Sequence, residues 1–321
     1  MGDFMALLFP RKAHAVLGLD ISPTAVKILE LRRTNKQMRV QGFAVVPLMS
    51  NAIVDNVIKN PQNVISAIKA ALEQMPFSTR HVGIALPATA VISKTIAIDA
   101  SLSEEELEAH VQLEAATAIP FPLDEVCMDF SALGVNEKDS TKVDVLLVAA
   151  RLAQVEARRN VVETAGLLVD CIEVESFAVE RCVNYLRYKD DSKTIAVIDF
   201  NKTIMTLTVM HQRRVIYTHE EFLSSQPVTE SLMPLLRRTM QMFLSSAQSY
   251  PVDEILLSGS GISGLTTIVS DDLSLPVTII NPFYTMLLTD TVNALQVQQE
   301  ASIFTIACGL ALRGLTYYDR N

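Results

Sequence analysis

The 321-residue sequence has little positive charge, few cysteines and no long apolar run. It contains 27 Lys and Arg against 36 Asp and Glu, and the resulting net charge of −9 argues against a nucleic-acid partner, which would require a basic face. The longest apolar candidate, residues 303–312, would cross only about half of a hydrocarbon core of roughly 30 Å. No membrane span is therefore predicted.

The N-terminal segment has a short apolar run before Pro10 and the basic pair Arg11 and Lys12. It lacks the charged leader and the cleavage site of a secretory signal, which predicts a cytoplasmic protein. A short apolar run beside two basic residues also permits contact with a lipid surface. We nevertheless expect any membrane attachment to be indirect, through a partner.

The four cysteines lie in apolar stretches without Cys-x-x-Cys spacing. This pattern favours buried free thiols in a reducing compartment over a metal site or a disulfide framework. The five histidines are scattered and form no pair at positions i and i+4. Nothing in the cysteine and histidine pattern therefore points to a metal centre. The cysteines are Cys127, Cys171, Cys182 and Cys308.

Apolar residues are plentiful, at 49% of the chain, while charged residues make up 20%. Such a chain buries a large core, and 321 residues exceed what one core usually organises. Two domains, or one domain with a large insertion, are predicted. The mean hydropathy of +0.27 then reflects strands that are buried on both faces.

Two segments repeat one pattern of strand, tight turn and strand. Residues 15–31 read AVLGLDISPTAVKILEL, with Asp20 at the end of the first strand, and residues 194–209 read TIAVIDFNKTIMTLTV, with Asp199 in the same place. The two units lie about 180 residues apart, the spacing expected of an internal repeat.

Between the repeats we expect a compact α+β insertion of roughly 80 residues. It contains a strand at 90–98, a helix that begins at Ser103 with a capping box to Glu106, strands at 126–133 and 143–149, and a helix at 152–165. A helix from Asn60 and a strand at 82–87 precede the insertion. After the second repeat come a helix at 231–249, a strand running into a glycine loop at 254–265, a strand at 277–283 and a helix at 303–312. This alternation predicts an α/β architecture.

The two turns suit a phosphate ligand and its metal. A carboxylate at a strand end can lie beside a divalent cation while the amides of the turn meet phosphate oxygens, and two such turns facing each other can hold a triphosphate with Mg²⁺. The loop at Gly259, Ser260 and Gly261 allows the backbone to approach a flat ligand, because glycine has no Cβ. Taken singly, each feature is also what an ordinary turn contains.

The order of these elements resembles the superfamily of actin, Hsp70 and sugar kinases, and within it the cell-division protein FtsA. Five segments resemble more specifically the PilM family of type IV pilus assembly proteins, most specifically IPFPLDEV at 119–126. The segments are LGLDISPTAVKILEL at 17–31, LSEEELEAHVQLEAATAIPFPLDEVCMDF at 102–130, VDVLLVAAR at 143–151, NPF at 281–283 and ACGLALRGL at 307–315.

The resemblance implies an actin-like (ribonuclease H-like) two-domain fold with an FtsA-like insertion. The first domain would comprise residues 1–87 and 168–192, the insertion 88–167 and the second domain 193–321. It also implies ATP with Mg²⁺ as cofactors. Metal would be held by Asp20 and Asp199, phosphates by Ser22, Pro23, Thr24, Lys27, Asn201, Lys202 and Thr203, and adenosine by Gly259, Ser260, Gly261 and Asn281. Glu175 is the candidate catalytic residue.

The implied partner is the N-terminal cytoplasmic tail of the inner-membrane protein PilN, held in a groove between the first domain and the insertion. The implied role is in pilus biogenesis and twitching motility, at the cytoplasmic face of the inner membrane, alongside other platform and motor proteins. Alternatives are an FtsA-like filament protein, a true ATPase or small-molecule kinase of the same fold, and a pseudo-ATPase adaptor that no longer binds nucleotide.

Several residues have two interpretations. The superfamily usually has glycine where this chain has Ser22 and Asn201. Asparagine tolerates the left-handed conformation better than any residue except glycine, so we expect the second turn to form, and the Ser22 hydroxyl can itself donate to phosphate. The glycine pair expected after the second turn is absent from residues 217–225. Glu175 is either a catalytic base or a favourable first-turn charge, and Lys27 either a phosphate ligand or a solvated strand residue.

Within the insertion, the acidic run 104–108 is expected to be a solvated helix face. Phe121 lies between two prolines in a short loop. It is either part of an apolar binding tip or a packing residue between subdomains.

Overall fold

The structure is a computed structural model, and it describes residues 16–35, 37–136, 138–186, 192–223, 228–246 and 250–316. The apolar run before Pro10, with Arg11 and Lys12, lies outside these ranges. Within them, no helix is both long enough and apolar enough to cross a membrane.

The predicted elements occur in the predicted order, together with strands and helices that were not predicted. The strands are β1 Leu17–Ile21, β2 Ala25–Thr34, β3 Gln37–Pro47, β4 Ile53–Val54, β5 Val57–Ile58, β6 His81–Leu86, β7 Val91–Asp99, β8 Val126–Val135, β9 Lys142–Arg151, β10 Leu168–Val174, β11 Thr194–Phe200, β12 Ile204–His211, β13 Arg214–Phe222, β14 Glu254–Gly259, β15 Val277–Ile279 and β16 Leu287–Leu288. The helices are α1 Pro61–Gln74, α2 Glu104–Ala118, α3 Leu152–Thr164, α4 Glu175–Leu186, α5 Val228–Leu244, α6 Leu265–Leu273, α7 Ala294–Glu300 and α8 Thr305–Thr316.

Two sheets repeat one topology. The first has the order β10-β6-β1-β2-β3-β16 and the second β13-β12-β11-β14-β15. In each, three antiparallel strands (β1 to β3, or β11 to β13) are extended by two parallel strands beside the first of them (β6 and β10, or β14 and β15). We call the first sheet, with the helices packed on it, the first half, and the second sheet, with its helices, the second half. The predicted internal repeat is thus confirmed at the level of whole sheets.

The central strands are apolar because helices cover both of their faces. Every residue of β1 and of β14 is buried. Strands buried on both sides read as continuous apolar runs rather than as alternating ones. This explains how the chain reaches a high mean hydropathy while the described residues contain no helix that could span a membrane.

The insertion consists of the sheet β7-β9-β8 with α2 packed on one face. The predicted capping box is present, since Ser103 Oγ accepts from the amide of Glu106 at 3.3 Å and Glu106 Oε2 accepts from the amide of Ser103 at 2.8 Å. Phe121 packs against this same core, and the guanidinium of Arg151 lies 4.4 Å from its ring centre. Phe121 is therefore a packing residue inside the insertion.

Two packing contacts cross the predicted domain boundaries. Helix α3, within the range predicted for the insertion, buries Val155 and Val162 in the core of the first half. Helix α8, within the range predicted for the second domain, packs on β1 so closely that a Cβ on Gly18 would lie 1.9 Å from the carbonyl oxygen of Ala307. Strand β16, also within the range predicted for the second domain, pairs in parallel with β3. The C-terminal elements thus return to the first half.

Among the predicted elements with different bounds, the final helix predicted at 303–312 is Thr305–Thr316. The helix predicted at 231–249 is Val228–Leu244, and the strand predicted at 277–283 ends at Ile279. Asn281 ends that strand, because its Oδ1 accepts from the amide of Phe283 at 2.9 Å and turns the chain.

Candidate functional site

The two repeated turns share one backbone hydrogen bond and one side-chain hydrogen bond. In the first, the amide of Ser22 donates to the carbonyl of Ala25 at 3.1 Å, and in the second the amide of Asn201 donates to the carbonyl of Ile204 at 3.0 Å. The side chain closes each turn as well. Ser22 Oγ accepts from the amide of Ala25 at 3.3 Å, and Asn201 Oδ1 accepts from the amide of Ile204 at 3.2 Å. One backbone design is thus used twice.

The turn at Asn201 forms, but not through the left-handed conformation that asparagine tolerates. The described residues with positive φ do not include Ser22 or Asn201. Both side chains instead supply an oxygen that accepts a backbone N–H, which glycine cannot do. The turns therefore form without glycine because they use a side-chain acceptor.

Asp20 and Lys27 form a buried ion pair beside the first turn. They lie opposite each other on β1 and β2, and Lys27 Nζ lies 2.7 Å from Asp20 Oδ2, with side-chain exposures of 11% and 2%. Burial acts to lower the pKa of Lys27, but the negative charges of Asp20, Asp199 and Glu175 outweigh it, and the pKa is raised. Lys27 is therefore not a solvated strand residue.

Asp199 occupies the equivalent place in the second half but has different partners. Its neighbour on β12 is Thr206, where the first half has Lys27, and its Oδ1 accepts from Ser258 Oγ at 2.6 Å. Burial raises the pKa of Asp199, while the nearby Lys27 and the Ser258 hydroxyl oppose that rise. The second carboxylate thus accepts a hydrogen bond from a neutral hydroxyl group, whereas the first is paired with an ammonium.

A cleft lies between the two turns, and half of the predicted site residues line it. These are Asp20, Ser22, Pro23, Lys27, Glu175, Asp199 and Asn201. Thr24, Lys202 and Thr203 belong to the same two turns but are not part of the lining.

The predicted adenosine residues also lie outside that lining. Gly259 is required by packing, since at φ 96° a Cβ would lie 1.9 Å from the carbonyl oxygen of Phe200. The amide of Ser260 donates to that same carbonyl at 2.8 Å, and Gly261 has φ 73°. The glycine loop therefore closes against the end of β11, and Asn281 caps its own turn.

Sequence reasoning missed several polar residues at or near the cleft. Asn56, Ser176 and Glu220 line it. Arg158 is 4% exposed, its Nη1 donates to the carbonyl of Ile21 at 3.1 Å, and its guanidinium interacts with the charges of Glu175, Asp20 and Glu220. These residues come from segments that lie far apart in the chain, so no local sequence motif predicts that they meet.

Glu175 begins α4 and faces this cleft. Burial raises the pKa of its carboxyl to about 8, and the charge of Asp20 adds to the effect. At neutral pH the group is therefore protonated, and it becomes a base only when the pH rises or when a cation enters the cleft.

The donor set fits a hydrated Mg²⁺ with a nucleotide. The cleft is lined by Asp20, Asp199 and Glu220, the carboxyl of Glu175 and the ammonium of Lys27, and hard oxygen ligands are what Mg²⁺ prefers. Among the described residues, no three Asp, Glu, His or Cys side chains come together closely enough to hold a metal. Asp20 and Asp199 would therefore hold the ion through water, with phosphate oxygens as further ligands.

Two sheets of one topology, with an aspartate and a tight turn facing the cleft from each, define an actin-like protein. Solved structures agree on the fold. One titled "PilM-PilN type IV pilus biogenesis complex" is 23% identical with a TM-score of 0.81, and the match covers 95% of this chain and 99% of that one. The ethanolamine utilization protein EutJ from Carboxydothermus hydrogenoformans is 10% identical with a TM-score of 0.53, over 97% of this chain and 95% of that one.

The sequence model of the family described as type IV pilus assembly protein PilM matches residues 18–235 and 224–315. The chain belongs to this family.

Proposed function

We propose that this chain is the actin-like, ATP-binding component of the type IV pilus inner-membrane assembly platform. In this role it binds the N-terminal cytoplasmic tail of PilN and contributes to pilus biogenesis and twitching motility. One observation carries the proposal: this chain belongs to the PilM family, and its similarity to a solved PilM–PilN complex covers 95% of its length. The protein then lies at the cytoplasmic face of the inner membrane through its partner, beside other platform and motor proteins.

The cleft supports the nucleotide part of the proposal. Asp20 and Asp199 face it from equivalent positions, and Lys27 supplies a buried ammonium. Bound Mg²⁺ would neutralise phosphate charge, and the chain's own residues would orient the phosphates and hold the water shell.

The insertion supports the tail part. On the sheet face opposite α2, Cys127 packs into the core of the first half. Next on that face lies the row Ser93, Val148 and Asp129. A tail could lie along this row, between the insertion and the first half.

Asp129 is the row's charged residue. The residue is 5% exposed, and its Oδ1 accepts from the amide of Phe130 at 2.8 Å. Burial raises its pKa to about 6, against the opposing charge of Arg313 from α8. A carboxylate held in this way suits the N–H donors or a basic side chain of a bound peptide.

Calorimetry with a synthetic peptide of the N-terminal PilN tail tests this part. We expect binding to the wild-type protein, at least tenfold weaker binding to Asp129→Asn, and unchanged binding to the matched variant Asp124→Asn, whose side chain is exposed on the same insertion. Absence of binding to the wild-type protein, with and without nucleotide, would contradict the adaptor role.

A second candidate is a pseudo-ATPase adaptor that binds the tail but no nucleotide. It is favoured by the turns themselves, because the amides of Ala25, Thr203 and Ile204 already donate to Ser22 Oγ or Asn201 Oδ1. Pro23 has no N–H to offer. A fluorescent ATP analogue titrated with Mg²⁺ decides between the two candidates, since only the first predicts saturable binding.

A further inference from the structure

Glu220 bridges three parts of the molecule at the rim of the cleft. It lies on β13, the edge strand of the second half. Its Oε2 accepts from Asn56 Nδ2 at 2.8 Å and from Thr89 Oγ1 at 3.0 Å, and its Oε1 accepts from the amide of Thr89 at 3.2 Å. Asn56 Nδ2 also donates to Thr89 Oγ1 at 2.9 Å. One carboxylate thus receives three donors from outside its own half.

Asn56 is presented to Glu220 by a tight hairpin. The strands β4 and β5 pair through Val54 and Val57, and the two residues between them, Asp55 and Asn56, have φ of 50° and 60°. Two successive left-handed residues are typical of the type I′ turn, which fixes the direction of its side chains. The donor is therefore held by a stiff element of the first half.

Thr89 lies where the chain crosses into the insertion. It occupies the single 3₁₀ turn Ala88–Ala90, and β7 begins at Val91. The chain leaves the insertion at Arg151 and enters α3, whose Arg158 donates to the carbonyl of Ile21 next to the first turn. The entry into the insertion is thus hydrogen-bonded to Glu220 of the second half, and the helix that follows the exit is hydrogen-bonded to β1.

We propose that Glu220 couples the opening and closing of the cleft to the position of the insertion. If the second half moves away from the first, Glu220 either releases Thr89 or pulls it along, and both outcomes change the base of β7. An anionic ligand between the two turns is repelled by the carboxylate of Glu220 and so shifts the equilibrium between the open and the closed cleft. The consequence for the tail groove, which the insertion borders, rests on the proposed function.

The coupling is tested by hydrogen exchange of the whole chain without ligand. Glu220→Gln leaves one acceptor oxygen for three donors and places an NH₂ group against them. We expect the Thr89 amide to exchange at least tenfold faster and the amides of β7 to exchange faster as well. The matched control is Glu221→Gln, whose carboxylate bonds His219 and Arg238 instead. Equal exchange at Thr89 and β7 in both variants would overturn the coupling.

A second measurement adds the non-hydrolysable ATP analogue AMPPNP with Mg²⁺. We expect the analogue to change the exchange of β7 in the wild-type protein and in Glu221→Gln, and to bind Glu220→Gln without changing it. An equal change in Glu220→Gln would overturn the coupling. A wild-type protein that binds no analogue would contradict the proposed nucleotide site, while the ligand-free exchange at Thr89 and β7 would still decide the coupling.

Discussion

The two turns that face the cleft share a backbone and differ in charge. Asp20 is paired with the buried ammonium of Lys27, whereas Asp199, in the equivalent place, lies opposite Thr206 and accepts from Ser258 Oγ. The backbone hydrogen bonds of the turns match one for one. A duplicated scaffold thus holds two carboxylates in unlike electrostatic surroundings, and the first half carries the cation.

The largest expected effect is the loss of stability in Asp20→Asn. This substitution leaves the Lys27 ammonium buried without its closest partner, and we expect it to lower the free energy of unfolding by about 3 kcal/mol. Asp199→Asn removes a carboxylate whose pKa burial already raises, so we expect a change within about 1 kcal/mol. Urea unfolding followed by circular dichroism measures both. Equal losses would contradict the asymmetry.

The next effect concerns nucleotide affinity at the two equivalent strand positions. Lys27→Met should weaken the binding of ATP with Mg²⁺ by about 30-fold, or about 2 kcal/mol, because a charge-assisted contact to phosphate is lost. Thr206→Val, its counterpart in the second half, should change affinity by less than about threefold. Titration with a fluorescent ATP analogue measures both variants. Similar losses at the two positions would show that the halves contribute equally.

A smaller effect is the pH dependence caused by Glu175. Its pKa is about 8 in the folded protein against an ordinary value of 4.5 for an exposed glutamate, so between these values the unfolded chain has lost a proton that the folded protein keeps. Stability attributable to this group therefore falls as the pH rises through that window. Glu175→Gln should therefore be more stable than wild type at pH 8 and no more stable at pH 4.

Thermal unfolding at the two pH values tests this expectation. An equal difference between wild type and Glu175→Gln at both would contradict the raised pKa. Asp20→Asn should lower the pKa of Glu175 more than Asp199→Asn does, because Asp20 is the stronger of the two charges acting on it.

The smallest effect is expected from restoring glycine to the turns. Asn201 Oδ1 accepts from the amides of Thr203 and Ile204, whereas Ser22 Oγ accepts from the single amide of Ala25. Asn201→Gly should therefore cost about 1 kcal/mol and Ser22→Gly about 0.5 kcal/mol, measured by thermal unfolding. The reverse order would show that the side-chain acceptors do not close the turns.

Local sequence patterns predicted the fold well, because strands, turns and helix caps are determined largely by residues that are close in sequence. The two aspartates at strand ends, the capping box at Ser103 and the helix from Asn60 are confirmed. Residues brought together only by tertiary packing were missed, notably Arg158 and Glu220. The turn at Asn201 forms without glycine, as expected, but it is closed by the side-chain oxygen and not by a left-handed backbone.

The central claim, that two unlike turns form one metal–nucleotide cleft, is tested most directly by calorimetric titration of the wild-type protein with ATP. The account predicts saturable binding with Mg²⁺, and binding at least tenfold weaker both in EDTA and in a folded preparation of Asp20→Asn. The same affinity with and without Mg²⁺ would contradict it.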